Sequence, residues 1–216
     1  MTQNNKNLYG VNQKELKEIT NLFFETGMLK RQKEVGSYFA GVDADSTTIA
    51  GHTMRTCLIA YFLAQLEKVD AEKCVMMCLF HDLPETRITD LHKVASKYIN
   101  AREVEKKALL DQTKDLPVNI KKQIRDLWDE MEKRNTPEGV VAKDADWLEH
   151  AISAREYVNL GYKGMQDWID NVRKALETKS AKELLKVIEK SDLNDWYKDL
   201  KKMTYKKLKK KPKKKK

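Results

Sequence analysis

Apolar residues recur along this chain at helical spacing, with no alternating strand pattern and no Asn-Gly hairpin signal. Within residues 12–26, Leu16, Ile19, Leu22 and Phe23 share one face, and Gly27 stands near the expected end of that helix. Residues 28–48 break the pattern: a basic cluster (Lys30, Arg31, Lys33), Gly36, Gly41 and an acidic turn at 43–45 read as a loop containing a short helical turn. Ser46 or Thr47 then caps a helix that runs to about Lys68. Ile49, Leu58, Ile59, Phe62, Leu63 and Leu66 make that helix apolar nearly all round, which predicts a place at the centre of the domain. The run Val75–Phe80 reads as a buried helix stopping near Asp82, with Pro84 placing Glu85 in the first turn of a new helix. Further helices are expected at 91–113, at 117–134 (Ile120, Ile124, Leu127, Trp128 and Met131 on one stripe) and at 139–159. Two or three more are expected between 165 and 206. The fold class is all-α, a single-domain helical bundle over residues 1–200.

Candidate chemistry is concentrated where these apolar runs stop. The sequence from Cys74 to Asp90 is CVMMCLFHDLPETRITD, and its adjacent His81–Asp82 offers an imidazole and a carboxylate to one divalent cation. On its own the dipeptide reads as a buried histidine hydrogen-bonded to its neighbour, so a metal site needs further ligands from elsewhere. His52 lies 29 positions earlier, on the helical face of Thr56, Ile59 and Leu63. Later, Val140–Val158 contains two aspartates about 200° apart on the helix. Asp144 falls in the middle of the apolar face; Asp146 shares a polar stripe with His150, Ser153 and Tyr157, which also suits a solvated surface. Periodicity leaves both aspartates open.

Charge and composition change the picture in two ways. Residues 201–216 hold 11 lysines and no acid, so the net charge of +9 resolves into a basic tail and a body, residues 1–200, at −2. That tail is expected to be disordered, because like charges repel and there is little to bury. Cys57, Cys74 and Cys78 all lie in apolar helical stretches and read as reduced core residues; Cys74 and Cys78, spaced i and i+4, fit packing better than a metal. The N-terminal residues lack a signal pattern and no stretch of about 18 uncharged apolar residues occurs, which gives a cytoplasmic protein without membrane contact as the expectation.

A helix bearing His52, then His81–Asp82, then an aspartate on a later helix resembles the HD-domain metal-dependent phosphohydrolases. LKRQKEVG (29–36), TIAGHTMRTCLIAYFLA (48–64), HDLPETRITDLHKV (81–94) and KDADWLEHAISAREY (143–157) narrow the resemblance to the 5′-deoxynucleotidase branch, the YfbR-like proteins, over roughly residues 12–180. The resemblance implies one divalent metal ion (Co²⁺, Mn²⁺, Mg²⁺ or similar) on His52, His81, Asp82 and Asp146. Within it, the Lys-x-x-Asp-x-x-Glu register selects Asp146 over Asp144. Glu85 and Asp90 match the family's acidic residues beside the metal. Such a cation lowers the pKa of bound water and neutralises phosphoryl charge. Glu85 would then orient or deprotonate that water, and Asp90 would hold the leaving 5′-oxygen or a relay water.

Three positions depart from the family pattern: Glu34 stands where an arginine holds the substrate phosphate, Ser37 replaces a large aromatic, and Gly51 replaces an acidic residue. Lys30, Arg31, Lys33 or Arg55 are the candidates to take over the phosphate contact; for Arg55 the rival reading is an ion pair inside the bundle. His92 and His150 read as neighbours of the site or surface residues. The expected activity is hydrolysis of (deoxy)nucleoside 5′-monophosphates to nucleoside and phosphate by a homodimeric enzyme. The alternatives are another small phosphate ester, or a nucleic-acid-associated protein whose tail binds phosphate backbones without sequence preference. That tail lacks interleaved aromatics for stacking on single strands.

Overall fold

A computed structural model describes residues 10–42, 46–198 and 200. Most of the longer helices begin where a small polar side chain satisfies free backbone N–H groups, whereas the two that follow Pro117 and Met165 start without a side-chain cap. Asn12 forms a capping box with Glu15 at the start of α1 (Gln13–Glu25), Thr48 caps α2 (Ile49–Glu67) and Asp70 caps α3 (Ala71–Phe80). A tight turn at 81–84 leads into the short α4 (Glu85–Ile88). Then come α5 (Ala101–Gln112), α6 (Val118–Lys133), α7 (Pro137–Asn159), α8 (Gln166–Ala175), α9 (Lys179–Lys190) and α10 (Asp195–Lys198). Among the described residues the only β pairing is an isolated bridge between Lys33 and Thr48. The all-α expectation holds.

The centre of the bundle is α7. Twelve of its 23 residues are buried, and alanines at 142, 145, 151 and 154 let α2, α3, α8 and α9 approach it closely. Leu63 and Met77, both fully buried, pack into this core with Leu148 of α7. Each contributes on the order of 1.5–3 kcal/mol by leaving water. A smaller cluster of Leu83, Leu109, Leu116, Ile124 and Trp128 closes the bundle under α1.

The expectation that α2 occupies the centre is overturned. Its buried residues are Ile49, His52, Thr53, Thr56, Ala60, Leu63 and Ala64, whereas Met54, Leu58, Tyr61, Phe62 and Leu66 are exposed, Met54 at 69% and Phe62 at 55%. The all-round hydrophobicity of α2 therefore divides into a core face and an apolar outer stripe.

Two boundaries also move. The expected helix at 91–113 is a turn, a 3₁₀ segment at Ala95–Lys97 and then α5, because Asn100 caps α5 by accepting from the Glu103 N–H. The 28–48 stretch holds two 3₁₀ turns, Thr26–Lys30 and Gly36–Ala40. Ser46 is not the cap of α2: its hydroxyl donates to the Glu34 carbonyl and so ties this stretch together. The acidic turn at 43–45 and the lysine tail lie outside the described residues.

Candidate metal centre

His52 lies in the first turn of α2, His81 and Asp82 at the C-terminal end of α3, and Asp146 in the middle of α7. Tertiary packing brings all four together. His52 Nε2 is 3.2 Å from His81 Nε2, 3.3 Å from Asp146 Oδ1 and 3.5 Å from Asp82 Oδ2; His81 Nε2 is 3.0 Å from Asp82 Oδ2 and 3.8 Å from Asp146 Oδ1. These are the spacings of ligand atoms around a single first-row cation, whose bonds to nitrogen and oxygen are about 2.0–2.2 Å. Two imidazoles and two carboxylates suit several first-row ions, Zn²⁺, Mn²⁺ and Co²⁺ among them. Asp146 is 5% exposed, so its polar stripe faces the interior and not solvent.

Asp144 has a different task. Fully buried on the other side of α7, it accepts hydrogen bonds from the Glu177 and Thr178 N–H groups and from the Thr178 hydroxyl at the start of α9. The two aspartates left open by periodicity thus divide into one that anchors a helix and one that faces the histidines and Asp82.

Both histidines present Nε2 inward. His81 Nδ1 lies 2.6 Å from the Cys78 carbonyl and His52 Nδ1 lies 2.6 Å from Glu149 Oε2. Since both partners only accept, each Nδ1 carries a hydrogen, and it is Nε2 that each neutral ring would offer to a cation. Trp128 holds the end of α3 by donating its indole N–H to the His81 carbonyl, 3.0 Å away.

These groups line a cavity of about 180 Å³ together with Glu34, Glu85, Asp90, Glu105, Glu132, Lys143 and His150. Glu85 comes just after the tight turn, its N–H donating to the Asp82 carbonyl. Asp90 Oδ2 accepts from the Val35 N–H at 2.7 Å and so joins the α4 end to the 31–35 segment. Thr89, just before it, has φ 62° and ψ 170°, a region ordinarily left to glycine. That backbone strain is of the order of 1–3 kcal/mol. His150 stacks on His52 with ring centroids 4.7 Å apart, its Nε2 3.3 Å from Asp146 Oδ1 and its Nδ1 3.2 Å from Glu34 Oε1. Gly36 lets the Trp168 indole seat against the 36–40 turn, since a β-carbon there would fall 2.6 Å from Trp168 Cη2.

The electrostatics come from burying many carboxylates together. Burial, then the charges of Asp82 and Asp90, hold the Glu85 carboxyl well above the usual range. Burial likewise raises Asp90, and burial with Glu132 close by pushes Glu105 up to about 7. Asp146 moves the other way: burial would raise it, but Lys143 and the imidazoles hold it well below the usual range. Burial disfavours the charged form of His150, yet Glu34 and Asp146 outweigh this and hold it up to about 10.

The basic residues expected to meet the phosphate do not line this cavity. Lys30 and Arg31 are exposed on the outer surface, and Lys33 Nζ donates to the Ser46 carbonyl at 2.7 Å. Arg55 donates to Glu149, Ser153 and Glu156, the ion pair inside the bundle that was its rival reading. Among the described residues, Lys143 is the one Lys or Arg of the lining, its Nζ 2.8 Å from Asp146 Oδ2. Lys143 stands one turn before Asp146, so a helical count from the chosen aspartate could have found it. Nothing local marks Glu105 or Glu132, which reach the site from α5 and α6 through packing alone; Glu149 is the glutamate of the Lys-x-x-Asp-x-x-Glu register, one turn after Asp146. His92 is at the surface turn, its Nδ1 accepting from the Ala95 N–H.

The HD domain family model matches residues 26–188. The chain belongs to the HD domain family. Proteins named 5′-deoxynucleotidase HDDC2 are similar to it: that of Danio rerio is 31% identical over 136 residues, covering 62% of this chain and 66% of its own length. That of Homo sapiens is 27% identical over 150 residues, covering 67% and 72%. The chain therefore spans just under two thirds of the Danio rerio relative. Among solved structures, a conserved hypothetical protein from Pyrococcus furiosus is similar at 30% identity, TM-score 0.67, covering 80% of this chain and 99% of that one. A protein described as a predicted metal-dependent phosphohydrolase from Magnetospirillum magnetotacticum, at 19% identity and TM-score 0.62, shares the HD domain fold.

Proposed function

We propose that this HD domain is a metal-dependent phosphomonoesterase that converts (deoxy)nucleoside 5′-monophosphates to nucleoside and inorganic phosphate. The observation that carries this reading is the convergence of His52 Nε2, His81 Nε2, Asp82 Oδ2 and Asp146 Oδ1 at one point of an acid-lined cavity. The relatives' names supply the nucleotide. These four residues would hold one divalent ion, which when bound acidifies a water and withdraws charge from the phosphoryl group.

The remaining steps belong to the protein. Glu85, lining the cavity one short turn beyond Asp82, takes a proton from the attacking water. The water oxygen bonds to phosphorus, the ester P–O bond breaks, and the 5′-oxygen leaves with a proton. Asp90, fixed by the Val35 N–H, holds that leaving oxygen or the water that relays the proton. Lys143, in the cavity lining, would meet a phosphoryl oxygen.

Two copies of the chain would pair through the outer stripe of α2. The three cysteines are free, as a cytoplasmic enzyme would keep them.

The test is inorganic phosphate release by the chelator-stripped full chain, reloaded with Co²⁺, Mn²⁺ or Mg²⁺, from deoxynucleotides, ribonucleotides and non-nucleotide phosphate esters. Release from nucleoside 5′-monophosphates is expected. Release confined to non-nucleotide esters would move the assignment to another small phosphate ester. No release at all, with nucleic-acid retention that disappears when residues 201–216 are deleted, would replace the hydrolase with the tail-driven reading.

A further inference from the structure

One ionic chain, partly exposed at its Arg55 end and buried at Glu149 and His52, has no step of its own in the proposed hydrolysis. It runs from Arg55 through Glu149 to the Nδ1 edge of His52. We propose that Glu149, backed by Arg55, is a positioning residue for the metal centre: it fixes His52 in the tautomer whose Nε2 lone pair faces the cation. This rests on the metal centre of the proposed function and not on its substrate.

Glu149 is fully buried and held at both oxygens. Its Oε2 lies 2.6 Å from His52 Nδ1; its Oε1 accepts from Arg55 Nε at 2.8 Å and from the Ser153 hydroxyl at 3.0 Å. The arrangement is reciprocal between two crossing helices. On α2, His52 and Arg55 are three residues apart; on α7, Asp146 and Glu149 are three residues apart. Each helix supplies one ligand and one group of the chain behind His52. An imidazole left to itself divides between two tautomers, and only one of them offers Nε2 to a metal.

His81 obtains the same orientation from the Cys78 backbone carbonyl, which is neutral and independent of any side chain. For His52 a full carboxylate charge does the task, which also makes the imidazole a stronger donor. Glu34 Oε1 is a rival acceptor for the same Nδ1, but at 3.3 Å it is the more distant, and it also faces His150. A purely structural role for the Arg55–Glu149 pair fits less well, since a buried ion pair contributes little net stability against an apolar replacement.

The experiment is a Co²⁺ titration of the metal-free full chain, read by visible absorption and by competition with a chelator. It compares the parent with Glu149→Gln, Arg55→Met and Arg55→Lys. Glu149→Gln keeps the volume but can turn an amide N–H₂ toward Nδ1; it should weaken Co²⁺ binding about 10–100-fold and alter the absorption bands. Arg55→Met, which leaves Glu149 in place, should weaken binding in the same direction, with partial recovery in Arg55→Lys. Should Glu149→Gln fail to fold, the two Arg55 variants decide. Variants that lose thermal stability while binding Co²⁺ with the parent's affinity and spectrum would overturn the positioning role alone. A parent chain that binds no Co²⁺ would remove the metal centre as well.

Discussion

Glu85 sits one short turn beyond His81–Asp82, inside the cavity, where burial and two neighbouring carboxylates raise its proton affinity. Replacing it with Gln keeps the shape and removes the base. Phosphate release should fall by at least about 10²-fold while metal content, measured by atomic emission, stays at the parent's level. Loss of metal together with activity would instead make Glu85 part of the cation's support. Glu105 allows a separate test through stability. Its carboxyl is pushed up to about 7 in the folded chain, above its unfolded value, so its contribution is fully present in acid and is lost as pH rises through 7. Glu105→Gln, neutral at every pH, should therefore gain on the parent between pH 5 and pH 8. The gain should be about 1–2 kcal/mol in urea unfolding, below the full value of the shift because the site is open to water. A gap that stays constant with pH would contradict the burial of charge at that position.

At the scale of elements, α7 does two things with two aspartates. Asp146 turns to the cavity, and Asp144, on the opposite side, receives the N–H groups that begin α9. Asp144→Ala leaves those donors without a partner. It should cost about 2–4 kcal/mol, roughly 5–15 °C in thermal midpoint, with Co²⁺ affinity unchanged. A variant that weakens Co²⁺ binding instead would mean that the two aspartates are not independent. The same helix shows why alanine-rich stretches are hard to place from pattern alone: α7 has little amphipathic contrast yet is the most buried helix, because small side chains admit neighbours on several sides. In α2 the reverse occurs, and hydrophobicity on every face ends half exposed.

For the whole molecule, the outer stripe of α2 bears directly on assembly. Leu58 and Phe62, one turn apart and both more than half exposed, are costly for a chain that remains single in water. The chain should sediment as a dimer at micromolar concentration, and Leu58→Glu with Phe62→Lys should return it to monomer without loss of helical circular dichroism. A parent that sediments as a monomer would leave the stripe to another partner. The cavity is itself a whole-molecule property, drawing on α2, the end of α3, α4 and the turn after it, α5, α6, α7 and the 31–35 segment, with Val35 and Asp90 joined across 55 positions of sequence.

Local chemistry was enough to read most of the helices, though not the break before α5, since caps, helical spacing and Pro84 act within a few residues of where they stand. It was also enough to nominate His52, His81–Asp82 and a later aspartate. The pattern could not choose between Asp144 and Asp146, because both sit on one helix and the choice depends on which neighbour, α9 or the cavity, lies against each side. Nor could it place Lys143, Glu105 and Glu132 around the site, or turn Arg55 toward Glu149. Those outcomes depend on helix crossings far apart in sequence, and the free energy of placing a charge is set by what surrounds it after packing.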